Sequence, residues 1–148
     1  MSQAVHQVNP FHARRWSRRL ALQAIYQWQM AGQDLQEIER QFYEDENVHK
    51  ADVPYFRELL HGVPANLDEL DAEIRVYLDR PMEAVDPVER ALLRNACYEL
   101  THRLDVPYKV IINEAVDLAK KFGAEQSHRF VNGVLDKVTT RLRPNETE

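Results

Sequence analysis

Hydrophobic residues recur along this chain every three or four positions, which is the period of an α-helix, and the strict alternation typical of a β-strand is rare. Ile111, Ile112, Ala115 and Leu118 illustrate this period, because they fall on one side of the segment 108–122. Short links that contain Gly, Pro, Asn or Asp separate such segments. The pattern predicts an all-α fold, a compact bundle of about seven helices.

Capping and helix-ending residues set the bounds of the predicted helices. Asp52 and Asp86 stand at N-cap positions, directly before apolar-periodic runs. The other predicted caps are a capping box of Asp34 with Glu37, an N-cap at Ser127, and left-handed C-caps at Gly32 and Gly123. Pro64 either starts a separate helix or kinks a continuing one. The predicted helices cover residues 13–30, 35–44, 53–62, 64–78, 87–103, 108–122 and 128–142.

The length of the chain indicates one domain. A chain of 148 residues has the ordinary size of a domain and buries enough surface to fold without a disulfide or a metal. The one cysteine, Cys97, is then expected to be a small apolar residue of the core. We expect a flexible arm over residues 1–12, a single helical domain over 13–144 and a polar tail over 145–148.

Motifs for catalysis and for metal binding are missing from the sequence. The six histidines are scattered, without the paired spacing of a zinc site, and there is no glycine-rich phosphate loop. No apolar run approaches the ~18 residues of a membrane span, and the N-terminus has no apolar stretch followed by a cleavage site. We therefore expect a cytoplasmic protein that is not an enzyme and uses no cofactor.

Four arginines near the start of the chain form a basic segment on an otherwise acidic protein. The first 33 residues contain four basic residues and no acidic one, whereas the rest contains 15 basic and 24 acidic residues. At about 100° per residue, Arg14, Arg15, Arg18 and Arg19 share one face of the first helix. No Asp or Glu lies four residues away to pair with them. A solvated helix face is one interpretation, but we favour contact with the phosphates of a nucleic acid.

Two further features have alternative interpretations. Leu22 and Tyr26 continue the arginine face, so they are either covered by another helix of the chain or exposed to a protein partner. Phe130 lies about 40° outside the apolar stripe of the last helix, near basic residues. It is either the edge of the core or a platform on which an unpaired base stacks.

Three stretches of the chain resemble the NusB family of bacterial transcription antitermination factors. They are RRWSRRLALQAIYQW at 14–28, ERALLRNACYEL at 89–100 and DVPYKVIINEAVDLAKKFGAEQSHRFVNGVLD at 105–136. The likeness runs from about residue 14 to 144. It implies two small helical bundles packed together. Members of the family often carry an acidic residue where this chain has Arg19, so the basic face here is larger than usual.

The resemblance also implies a function and partners. Such proteins pair with the tenth protein of the small ribosomal subunit, called NusE in this role, and the pair binds single-stranded boxA RNA in nascent transcripts. With other Nus factors and RNA polymerase, it suppresses premature termination, notably on ribosomal RNA operons. RNA contact is thereby implied for Arg14, Arg15, Arg18, Lys121, Ser127, Arg129, Phe130 and Asn132, and Arg19 joins them from its place on the same basic helix face. The implied protein-partner surface comprises Tyr26, Glu89 and Arg94, with Leu22 beside them.

Other functions and states stay open at this point. Similar helical domains are fused to ribosomal RNA cytosine methyltransferases, although this chain lacks the strand–glycine loop–helix pattern that binds a methyl donor. A protein-interaction module without RNA affinity is the other alternative. The sequence does not decide whether the free protein is a monomer or a homodimer, since a helix surface built for a partner can self-associate.

Overall fold

The computed structural model describes residues 9–147, and within them every regular element is a helix. The all-α prediction is therefore confirmed. Two 3₁₀ turns, Val48–Lys50 and Met82–Ala84, occupy links between the longer elements. No helix in the described part of the chain combines the length and the apolar character that crossing a membrane requires. The helices are α1 (Pro10–Ala31), α2 (Leu35–Tyr43), α3 (Val53–Ala65), α4 (Leu67–Arg75), α5 (Pro87–His102), α6 (Tyr108–Phe122), α7 (Ser127–Leu142) and α8 (Pro144–Thr147).

Helix α1 begins three residues earlier than predicted. The side chain of Asn9 accepts a hydrogen bond from the backbone N–H of Phe11 at 2.8 Å, and Pro10 occupies the first turn, where its missing N–H is harmless. The end at Gly32 is as predicted, since this residue is left-handed with a φ of 64°. Residues 9–12 thus belong to the helix and its cap, and the rest of the predicted flexible arm lies outside the described residues.

The predicted caps divide into correct and wrong ones. Asp52 accepts a hydrogen bond from Tyr55 N, and Asp86 accepts one from Val88 N, so both caps are confirmed. Asp34 precedes α2 but makes no capping hydrogen bond. Ser127 lies inside α7 rather than before it, and Gly123 ends α6 in an extended conformation with a φ of −91°. These three cap predictions were wrong. The hydroxyl of Ser127 donates to Glu89 of α5 instead of capping α7, and a backbone bond from Gly123 N to the Ala119 carbonyl ends α6 without a left-handed residue.

Two further boundaries differ from the sequence prediction. Pro64 lies in the last turn of α3, and the next helix starts only at Leu67. That helix ends at Arg75, so the stretch up to residue 78 that was predicted to be helical is a turn. Pro144 does not terminate the chain's helical structure, because it opens the short helix α8.

Helices α1 and α5 form the centre of the molecule. Helix α1 packs against α2, α3, α5 and α6, whereas α5 packs against α1, α3, α4, α6 and α7. The helices thereby form two groups, α1 to α3 and α4 to α7. Helix α5 belongs to the second group and joins the two, because it also packs against α1 and α3 of the first. Cys97 on α5 is fully buried, as predicted. The largest completely buried side chains are Phe56, Leu20, Ile25, Ile38, Leu59, Leu60, Leu70, Ile74, Leu93, Leu100, Ile111 and Leu135.

Candidate nucleic-acid interface

Arg18 is not part of an exposed basic face. Only 6% of this residue is exposed, and its guanidinium forms a two-pronged ion pair with Glu99 of α5, with N–O distances of 2.9 Å. The hydroxyl of Tyr55 donates to the same carboxylate. The prediction that Arg18 shares a free surface with the other three arginines is therefore wrong, and the structure gives it a place in the interior.

The reason lies in the number of helices around α1. A helical wheel assigns one covered side to a helix, but α1 is covered from several directions by α3, α5 and α6. Glu99 is 81 positions away from Arg18 in sequence. The absence of acidic residues at the i+4 spacing therefore could not show whether Arg18 has an acidic partner. Arginine suits such a buried pair because its planar fork matches a carboxylate.

Arg14 and Arg15 remain near the surface but hold acidic partners. Arg14 lies 3.7 Å from Asp52 and places its guanidinium 4.4 Å from the centre of the Tyr55 ring. Arg15, whose side chain is 48% exposed, lies 3.2 Å from Glu114 and 3.7 Å from Asp117. A phosphate could reach Arg15, but it would compete with these carboxylates.

Arg19 has a different environment from the other three. Its guanidinium lies 4.9 Å from the centre of the Trp16 ring and 5.1 Å from that of Phe122. Among residues 9–147, no carboxylate approaches Arg19 within 4.0 Å. The charge is thus held between two aromatic rings without an acidic partner, which leaves it available to an anion.

A surface cleft between α1 and α6 collects several of the predicted RNA-binding residues. It has a volume of about 310 Å³ and brings Arg15 and Arg19 of α1 together with Lys121 of α6. We call it the α1–α6 cleft. Lys50 approaches its edge, 4.8 Å from the centre of the Trp16 ring. The complete lining is His12, Arg15, Trp16, Arg19, Glu114, Asp117, Leu118 and Lys121.

One carboxylate in this cleft is unusual. Glu114 is 6% exposed, and burial raises its pKa, although the nearby guanidiniums of Arg15 and Arg18 act in the opposite direction. The raised pKa reflects the cost of keeping a carboxylate charged away from water. The cleft therefore contains both the positive groups that attract a nucleic acid and a negative group that opposes phosphate at its inner wall.

The second predicted RNA-binding region, on α7, does not line this cleft. Phe130 is half-buried against the core, and the guanidinium of Arg80 lies 4.8 Å from the centre of its ring. Arg129 and Asn132 are exposed on the same helix. Ser127, by contrast, is 1% exposed and donates a hydrogen bond to Glu89 at 2.7 Å, so its predicted contact with RNA is wrong for this structure.

The predicted protein-partner residues are mostly internal. Tyr26 is exposed, as the periodicity of α1 allowed, but Leu22 is 2% exposed and belongs to the core. Glu89 accepts the hydrogen bond from Ser127, and Arg94 is fixed by a two-pronged pair with Asp71. Both are 8% exposed. Of the two alternatives for Leu22, the structure gives the covered one. The side chains of Glu89 and Arg94 are engaged within the chain, and their contact with a protein partner stays a prediction.

Sequence reasoning missed three residues of these surfaces. Trp16 was placed on the inward apolar side of α1, but it is partly exposed in the cleft, and His12 was placed in the flexible arm. Met30 is 56% exposed one turn after Tyr26, and together they form an apolar patch on α1. The i,i+4 spacing of Tyr26 and Met30 could have indicated this patch.

Comparison with known proteins identifies the family of this chain. A family model described as the NusB family matches residues 15–140. The chain is 55% identical over 130 residues to the transcription antitermination protein NusB of Shewanella piezotolerans, which covers 88% of this chain and 96% of the relative. It is 53% identical over 137 residues to the protein of that name from Saccharophagus degradans, covering 92% and 91% of the two chains.

Solved structures agree with this likeness. NusB of T. maritima superimposes with a TM-score of 0.79 at 30% identity, covering 95% of this chain and 97% of that one. A crystal structure of the antitermination factors NusB and NusE in complex with double-stranded RNA matches with a TM-score of 0.73 over 86% of this chain and 96% of that one. At 24% identity, the second likeness concerns the fold alone.

Proposed function

Because this chain belongs to the NusB family, we propose that it is a transcription antitermination factor that binds single-stranded RNA through the α1–α6 cleft. The observation that carries the RNA-binding part is the convergence of Arg15, Arg19 and Lys121 on one cleft. The remainder of the chain is acidic, so this cleft is where a polyanion meets attraction rather than repulsion.

The partners follow from the family. We propose that the chain forms a heterodimer with the ribosomal protein NusE, and that the pair selects boxA RNA in nascent transcripts, notably those of ribosomal RNA operons. Other Nus factors and RNA polymerase would join this complex in the cytoplasm. The exposed apolar patch of Tyr26 and Met30 supports a protein contact on α1, because aromatic residues and Met are enriched at interfaces.

The α7 region is a second proposed part of the RNA path. Arg129 and Asn132 are exposed, and the Phe130 ring keeps partial exposure beside Arg80. A strand that leaves the cleft could continue along these groups. This region contributes less charge than the cleft, so we propose that it orients the strand rather than providing most of the affinity.

RNA binding by fluorescence anisotropy tests the proposal. A labelled boxA-like strand and a scrambled strand of the same composition are titrated with the protein, each with and without NusE. We expect NusE to tighten binding to the boxA-like strand and to leave the scrambled strand weakly bound. If neither strand binds under any condition, the proposed RNA-binding function is wrong and the family fold alone stands.

Variants of single arginines identify the surface. We expect Arg19→Ala to weaken binding to all RNAs and to reduce the dependence of log affinity on log salt by about 0.7, the value for one single-strand phosphate contact. Arg40→Ala is the matched control, since it removes the same charge from an exposed arginine that lies outside the cleft and pairs with Glu37 on α2. Equal losses in the two variants would mean that binding is a response to overall charge rather than to the cleft.

A further inference from the structure

The α1–α6 cleft contains an aromatic wall that phosphate contact does not require. Trp16 is partly exposed, and it is absent from the side chains that pack against the buried core cluster. Its ring instead faces the cavity with Leu118, while the cations of Arg19 and Lys50 lie within 5 Å of its centre. A large apolar side chain that contributes little to the core but lines a polar cleft calls for a ligand with an apolar face.

The charges inside the cleft indicate different places for the base and for the phosphates of a nucleotide. Glu114 and Asp117 line the cavity together with Trp16, so a phosphate placed beside them would meet two carboxylates. A neutral base would not be repelled there, and its N–H groups could donate to a carboxylate. Arg19 and Lys121 provide positive charge for the phosphates that flank such a base.

We propose that the α1–α6 cleft is a pocket for one unpaired nucleobase of single-stranded RNA, which stacks on Trp16 or on the guanidinium of Arg19 above it. The inference rests on the proposed RNA-binding function and adds a base-binding subsite to it. Aromatic rings and arginine planes are the surfaces on which proteins stack splayed-out RNA bases. The cavity of about 310 Å³ is at the small end of ligand pockets, as a single base requires.

The fluorescence of Trp16 provides a direct test. The chain has two tryptophans, so in a Trp28→Phe protein Trp16 is the only one. Trp28 does not line the cleft, and circular dichroism checks that the substitution keeps the fold. We expect the boxA-like strand, with NusE present as tryptophan-free protein, to quench the Trp16 emission with the same midpoint as anisotropy. A strand with abasic positions should bind more weakly and quench less.

Substitution at residue 16 gives an independent measurement. We expect Trp16→Ala to weaken RNA binding roughly 5- to 100-fold with an unchanged salt slope, and Trp16→Phe to restore most of the affinity, because phenylalanine retains a stacking face. Arg40→Ala again serves as the control for a change elsewhere on the surface. Equal losses for Trp16→Ala and Trp16→Phe would contradict stacking.

The outcomes distinguish the pocket from the function on which it rests. If RNA binds while Trp16 emission stays constant and Trp16→Ala binds like the unmodified protein, the base pocket is wrong and RNA binding stands. If an abasic strand or poly-glutamate quenches Trp16 as strongly as the intact strand, the cleft is a general anion site and the base pocket is again wrong. If no RNA binds at all, both proposals fail together.

Discussion

Single residues of α1 differ sharply in what their charge does. Arg18 belongs to the interior with Glu99 and Tyr55, whereas Arg19 lies at the surface between aromatic rings. The two residues are adjacent in sequence, and the residues around them along the chain do not indicate which one is buried. One supports the packing of α1 against α5, and the other faces the cleft.

This difference predicts effects of very different size for two alanine substitutions. Arg18→Ala should lower the free energy of unfolding by about 3–5 kcal/mol, because it leaves the Glu99 carboxylate buried without its partner. Arg19→Ala should lower it by less than about 1 kcal/mol, since it removes a partly exposed charge without an acidic partner and its cation–π contacts. Urea unfolding followed by circular dichroism measures both. Similar losses in the two variants would contradict the assignment of Arg18 to a structural role.

The pH dependence of stability provides a second prediction at this scale. The pKa of Glu114 is raised in the folded protein by burial, so the folded state holds this proton more tightly than the unfolded chain, whose ordinary value is 4.5. The stabilisation from that proton is complete below pH 4.5 and is lost as pH rises through the folded-state pKa. The difference in free energy of unfolding between Glu114→Gln and the unmodified protein should therefore shift in favour of the variant as pH rises from roughly 4 to 7, because glutamine has no proton to lose.

Urea unfolding of both proteins at several pH values measures this difference. Asp117→Asn is the matched control, because the Asp117 side chain is 53% exposed and lies on the same helix. A relative loss of stability in Glu114→Gln on going to neutral pH would contradict the sign of the shift.

At the scale of the elements, the seven longer helices were predictable, whereas several of their ends and exposed faces were not, and the short helix α8 was missed. The bounds of α6 follow from the apolar period between Pro107 and Gly123, and they match the structure. The exposed side of α1 could not be derived in the same way, because Glu99, Asp52 and Glu114 come from three other elements. The cleft was predictable only as a basic surface. Its aromatic wall required knowing that α6 covers one flank of α1 and leaves Trp16 partly open.

Two helical glycines test how tightly the elements pack. A Cβ at Gly62 of α3 would lie 2.5 Å from Tyr98 Cε2, whereas a Cβ at Gly133 of α7 would have no atom within 4 Å. Gly62→Ala should destabilise the protein by about 1–3 kcal/mol through overpacking. Gly133→Ala should stabilise it by roughly 0.5–1 kcal/mol, because alanine is the better helix former.

Thermal and urea unfolding of these two variants, side by side, measure the contrast. They carry the same chemical change, so a difference in sign isolates the close approach of α3 to α5. Destabilisation of both by the same amount would mean that the Tyr98 ring moves aside at little cost.

At the scale of the whole molecule, Arg143 attaches the C-terminal segment to the centre of the fold. It is 5% exposed, and its guanidinium donates to the backbone carbonyls at the end of α5 and after it. The acceptors are the carbonyl oxygens of Glu99, Leu100, Arg103 and Val106. The last carbonyls of a helix have no partner within the helix, and a positive charge there also complements the helix dipole. The sequence placed Arg143 after the last helix, in a position without an evident role.

Arg143→Ala should therefore lower the free energy of unfolding by about 2–4 kcal/mol, since the carbonyls of Leu100 and Val106 lose their donor and those of Glu99 and Arg103 keep only a backbone one. Urea unfolding tests the value. Arg141→Ala is the matched control, because Arg141 pairs with Glu73 at the surface and should change stability by less than about 1 kcal/mol. An effect of Arg143→Ala no larger than that of Arg141→Ala would contradict this anchoring role.

In its ion pairs, Arg15 is already bound to carboxylates of the protein, which compete with RNA phosphates for its guanidinium. A phosphate gains Arg15 only by displacing Glu114 and Asp117, so one contact is exchanged for another and few counterions are released. The salt dependence of binding will therefore undercount the phosphates that the strand touches, and Arg15→Ala will change it less than Arg19→Ala. An isolated phosphate has little to gain from such an exchange. A continuous strand gains more, because it also reaches Arg19 and Lys121. The acidic partners of Arg15 therefore favour binding of extended strands over binding of free phosphate.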